Sequence, residues 1–157
     1  MKINIIAVGK LKEKYFEQAA GEYVKRLSRF CNLNITEIPD EKIAENASTL
    51  MCAKVLEKEG GEILKRIRGG RVVALCIEGK KFSSKEVAKM LENEKLCGGE
   101  ITFIIGGSLG LSPEVRARAD LLLSMSEMTF PHMLARVMLL EQIYRAFKIN
   151  ANEIYHK

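Results

Sequence analysis

At 157 residues, 47% apolar and 29% charged, the chain has the make-up of one globular domain: too short for two full cores and too apolar for a disordered or fibrous protein. A formal net charge of +5 favours an anionic partner, nucleic acid first, although solvated helix faces account equally well for the scattered lysines and arginines. No stretch reaches the roughly 18 apolar residues of a membrane span, and the opening MKINIIAVGK is only a brief apolar run before charges, so a soluble, unexported, cytoplasmic protein is expected.

In chain order, Ile3 to Val8 is a β-branched apolar run closed by Gly9, the pattern of a buried strand. Tyr15, Phe16, Ala19, Tyr23, Val24 and Leu27 then follow helical spacing between about Lys12 and Arg29, and Leu33 to Ile38 resumes strand character before Pro39. A polar helical stretch from Glu41 towards Ile67 contains Gly60 and Gly61, which are expected to kink or divide it. Val72 to Ile77 reads as a third strand stopped by the turn-forming Glu78-Gly79. Ser83 with Glu86 forms a capping box that opens a helix to about Leu96.

Ile101 to Ile105 is a fourth strand running straight into Gly106-Gly107-Ser108-Leu109-Gly110. Ser112, Pro113 and Glu114 mark a helix start: a cap, a proline at the first position and an acid at the positive dipole end. Leu121 to Met125 is a fifth strand. The loop Ser126 to His132 leads into a helix from about Met133 to Lys148, and a tail from Asn150 to Lys157 completes the chain.

Strands alternating with helices predict an α/β protein with a mainly parallel, five- to six-stranded sheet and helices on both faces. Ligands of such sheets sit at the carboxyl ends of the strands, so the loops after strands three, four and five form the candidate site.

Ser108 lies in a G-x-S-x-G context with Asp120 and His132 downstream, the order of an α/β-hydrolase triad. Asp120, however, opens the fifth strand and so belongs at the other end of a parallel sheet, and the helix starts too late for a tight nucleophile elbow. Neither the dinucleotide fingerprint nor the P-loop fits the glycine loop. The two histidines, His132 and His156, and the four dispersed cysteines lack metal-ligand spacing, so no metal is expected and the cysteines are read as reduced and structural.

Apolar residues cover nearly the whole circumference of the last helix, from Leu134 to Phe147, which predicts burial on all sides and hence a homodimer. His132 before this helix is either a neutral base or a capping residue. Glu141 and Arg145 form an i,i+4 pair that serves either as a salt bridge or as cleft-facing charges. Tyr155, His156 and Lys157 make either a loose end or an aromatic and basic clamp for a nucleotide.

The glycine loop, Ser124 to His132 (SMSEMTFPH), Arg136, the run Glu141 to Lys148 (EQIYRAFK) and the terminal Tyr155-His156-Lys157 together resemble the ribosomal RNA large subunit methyltransferase H family of the SPOUT superfamily. IIAVGKLKEKY near the start and EGK after the third strand extend the resemblance over essentially the whole length. It implies a C-terminal trefoil knot, a homodimer, and use of S-adenosylmethionine to methylate N3 of a pseudouridine in large-subunit ribosomal RNA on assembled ribosomes. Carried over by motif, Leu75, Gly106, Met125, Ser126, Glu127, Met128, Thr129 and Phe130 are expected to contact the cofactor, largely through backbone groups. Arg145, Tyr155 and His156 are the candidates for placing the nucleotide, with the tail reaching in from the same or the partner subunit, and His132 for proton transfer. A ribosome- or RNA-binding module without catalysis is the competing class.

Overall fold

In a computed structural model, which describes residues 1–44 and 46–155, five strands form one sheet in the order β2-β1-β4-β3-β5, every pair parallel. The elements are β1 (Lys2–Val8), α1 (Lys14–Leu27), β2 (Asn32–Ile38), α2 (Thr49–Leu64), β3 (Arg71–Lys81), α3 (Ser84–Leu96), β4 (Glu100–Ile105), α4 (Pro113–Arg118), β5 (Leu121–Ser124) and α5 (His132–Asn150). The expected class and strand count therefore hold.

The pleat sorts the apolar residues into two cores. Ile3, Ile5 and Ala7 of β1 and Ile101, Phe103 and Ile105 of β4 face one side with α1, α3 and α5; Ile6, Val8, Val72, Ala74 and Ile104 face the other with Ile63 of α2 and Val115 of α4. Central strands buried on both faces need the unbroken apolar runs seen in the sequence. On the first face α5 packs against both α1 and α3, burying the stripe Arg136, Leu139, Leu140, Ile143 and Ala146.

Three larger departures from the sequence expectation each have a physical reason. First, β3 does not stop at Ile77. It loses register between Leu75 and Lys80 and then pairs again with β5 through Lys80 and Lys81. Gly79 permits this, because a Cβ there would stand 2.6 Å from the carbonyl carbon of Leu122. Second, α2 starts only at Thr49, where the Ser48 hydroxyl accepts the Met51 N–H. Third, Gly60 and Gly61 leave α2 unbroken, and Gly60 lies against the residue that caps α4, since a Cβ there would stand 2.9 Å from the Cβ of Ser112. A contact thus explains a glycine that reads in sequence as a break.

Candidate functional site

The loops after β3, β4 and β5 enclose a cavity of about 630 Å³ at the carboxyl ends of those strands. Its walls are Leu75 to Glu78 from the β3 bulge, Ile105 to Leu111 around the glycine loop, Arg116 of α4, and Leu123, Met125, Ser126 and Met128 to His132 from the chain leading into α5, with Ala135 beyond them. Four residues of β3 (76–79) leave the ladder between its two pairings with β5, and three of them line this space. The glycine loop closes on itself, with Gly110 donating its N–H to the Gly107 carbonyl at 3.1 Å. After β5, the Ser124 hydroxyl donates to the Ser126 carbonyl and the Ser126 hydroxyl accepts the Met128 N–H, which holds the third wall as a turn.

Of the expected cofactor contacts, Leu75, Gly106, Met125, Ser126, Met128, Thr129 and Phe130 meet in this cavity. Glu127 does not: its carboxylate turns outward into an ion pair with Lys81, and its side chain is 81% exposed. Cys76 and Arg116 also line the cavity and were not expected there, and Glu78 lines it as part of the loop after the third strand, with no role assigned to it in advance. Glu78 and Gly79 signal a turn, which is a common place for function, but nothing in the spacing of Arg116 distinguishes it from a solvated helix residue.

His132 is the first residue of α5, one position earlier than expected, and borders the cavity. Burial, and next to it the charge of Arg136, holds its imidazole below the usual histidine range. Arg136 is itself buried and donates through Nη1 to Glu37 at 2.5 Å and through Nη2 to the Gly9 carbonyl at 2.6 Å, clamping the ends of β1 and β2 to the first turns of α5. Gly9 has φ +86, and a Cβ there would stand 2.9 Å from Nε2 of His132, so a residue larger than glycine would both strain the backbone and crowd the ring.

Arg145 and Tyr155 do not join this cavity within the chain. Thirteen helical steps along α5 separate His132 from Arg145, about 20 Å at the helical rise. They gather instead around Glu141, whose Oε1 accepts from Nε and Nη2 of Arg145 at 2.9 and 2.5 Å and from the Tyr155 hydroxyl at 3.3 Å. The Arg145 guanidinium also sits 4.8 Å from the centre of the Tyr155 ring. Oε2 of Glu141 accepts from Gln142, which is bound in turn by Ser84 of α3. Burial, then Tyr23, pushes the Tyr155 phenol up to about 12, so it remains a neutral donor. His156 lies outside the described residues.

Asp120 removes the hydrolase reading. Its carboxylate accepts the Val72 N–H at 2.7 Å near the start of β3, at the opposite end of the sheet from Ser108.

Fold and cavity together define an α/β protein that holds its ligand in the loops beyond the carboxyl ends of parallel strands. The family model described as "Predicted SPOUT methyltransferase" matches residues 1–156, and the chain belongs to that family. Over the full length of both chains it is 55% identical to Ribosomal RNA large subunit methyltransferase H 1 of Clostridium perfringens strain SM101 and 54% identical to the methyltransferase H of Bifidobacterium animalis subsp. lactis. A structure from Legionella pneumophila with bound SAM shares the fold at a TM-score of 0.52 and 12% identity, covering 94% of this chain and 66% of that one.

Proposed function

We propose that this protein transfers the methyl group of S-adenosylmethionine to N3 of a pseudouridine in large-subunit ribosomal RNA, acting as a homodimer on ribosomes in the cytoplasm. The observation that carries the reading is full-length identity of 55% to a ribosomal RNA large subunit methyltransferase H, combined with convergence of the motif residues on one cavity.

The cavity fits the cofactor. Its volume lies within the range of about 300–1,000 Å³ typical of small-molecule sites, and its walls are mostly apolar side chains and loop backbone that suit an adenosyl group. Leu75, Gly106, Met125, Ser126, Met128, Thr129 and Phe130 would hold it, and Glu127 stands outside the set. When bound, the cofactor supplies a methyl group activated by its positive sulfonium, so no metal is required.

The chain's own task is to exclude water, fix the nucleotide and take the proton that N3 loses. His132, at the cavity edge and held neutral by burial and Arg136, is the acceptor in this reading. Arg145 and Tyr155, with His156 of the tail, place the nucleotide. Their distance from the cavity in one chain supports a site completed by a second copy, whose tail enters beside the first chain's His132. The C-terminal trefoil knot belongs to the same proposal, supported by β5 at the sheet edge followed by α5 packing back between α1 and α3.

Mass spectrometry of ribosomal RNA from cells with and without the protein tests the reading. One methylated pseudouridine in large-subunit RNA, present only with the protein, is expected; identical modification in both samples would refute it.

A further inference from the structure

We propose that Glu78 and Arg116 form the subsite for the α-amino-acid end of the cofactor, with the carboxylate of Glu78 taking its ammonium group and the guanidinium of Arg116 its carboxylate. The proposal rests on the cofactor reading above and assigns two side chains that the motif does not.

Glu78 and Arg116 are the acid and the base of the cavity wall, and apart from His132 the other wall residues carry no ionisable group except the Cys76 thiol. They arrive from separate elements, Glu78 from the β3 bulge and Arg116 from α4, and face each other with Nη2 and Oε2 3.6 Å apart. The separation is longer than in the closed pairs Arg136–Glu37 and Arg66–Glu62, at 2.5 and 2.6 Å, and close to the 3.9 Å of the open pair Arg118–Asp120. The looser pair leaves donors of the guanidinium and lone pairs of the carboxylate available. A zwitterion presents the opposite charges in the same sense, so it can bind across such a pair without adding net charge, through charge-assisted hydrogen bonds at both ends.

The rest of the cavity suits the other end of the same ligand. Leu75, Ile77, Ile105, Leu109, Leu111 and Met125 are apolar, which leaves the charged pair as the place for the part of the molecule that must remain charged. Glu78 is kept ionised by the Cys76 thiol, which donates to Oε2 at 2.9 Å, then by its own backbone N–H and by Arg116. The pair is also solvent-exposed, with side chains 38% and 68% accessible. Exposed pairs of this kind add little to stability, so substitutions here report on ligand binding rather than on folding.

Titration calorimetry of the full chain, with S-adenosylmethionine and with methylthioadenosine, which lacks the amino-acid end, separates the possibilities. Wild type is expected to bind S-adenosylmethionine more tightly than methylthioadenosine. Glu78→Gln and Arg116→Gln should each weaken S-adenosylmethionine about tenfold or more, the size of one lost charge-assisted contact, and leave methylthioadenosine within about twofold. Unchanged S-adenosylmethionine binding in both variants, or equal weakening of both ligands, overturns the subsite while leaving the cofactor reading intact. If wild type binds neither ligand, the cofactor reading itself fails.

Discussion

His132 is the single side chain on which sequence and structure add most to each other. The sequence places it before a hydrophobic helix; the structure shows an imidazole wedged against Gly9 and beside the buried Arg136, with burial as the main force against its charged form. Its two-dimensional NMR titration should fall below the roughly 6.5 of a free histidine. The sign for stability follows. The unfolded chain takes the proton first, so stability is unaffected well above that value and is lost as pH falls through it. His132→Gln should remove this part of the acid sensitivity, and an imidazole titrating at or above the free value would contradict the account. Arg136 belongs to the motif seen in the sequence, yet its role was not legible there. An arginine on an apolar helix looks like a surface residue, and only the meeting of β1, β2 and α5 reveals that it ties three segments together.

Among the elements, β1, β4 and the glycine loop were legible because buried parallel strands carry unbroken apolar runs that end at punctuating residues, and the edge strand β2 through the alternation of its apolar residues before Pro39. The β3 bulge was not, because Glu78-Gly79 carries a strong local turn signal, while the pairing of Lys80 and Lys81 with β5 is decided more than forty residues away. Arg116 escaped for the same reason: its place in the cavity depends on where α4 lands, which no local pattern encodes.

Helix α2 offers a sharper test of the same idea. Alanine normally stabilises a helix interior over glycine by about 0.5–1 kcal/mol, and Gly61 has open space where a Cβ would go. Gly61→Ala should therefore raise stability by about that amount in chemical denaturation. Gly60→Ala should lower it, because its Cβ would press on Ser112. Equal stabilisation by both would show that α4 does not pack as described.

At the scale of the whole molecule, the last helix is covered but not fully. None of its nineteen residues is exposed, and its buried stripe faces α1, α3 and the sheet. Leu134 and Met138 lie on the opposite side by the 100° helical step, next to Glu141 and Arg145. A second copy laid on this face would bury them and bring Arg145 and Tyr155 towards a neighbouring cavity, which is how the proposed site becomes complete. Light scattering should give twice the chain mass for the wild type. Met138→Glu, which places a carboxylate in the apolar contact, should give monomers that keep their fold and still bind cofactor. A wild-type monomer at micromolar concentration would remove this part of the account.

The central claim is that the cavity over β3, β4 and β5 serves methyl transfer to ribosomal RNA. Its most direct test supplies purified protein with S-adenosylmethionine labelled in the methyl group and with ribosomes from cells lacking the protein, then maps the label by nuclease digestion and mass spectrometry. The account predicts label on one pseudouridine of the large-subunit RNA, at N3, approaching one methyl per ribosome. Absence of label from the RNA, or its appearance on a different nucleotide or atom, would contradict it.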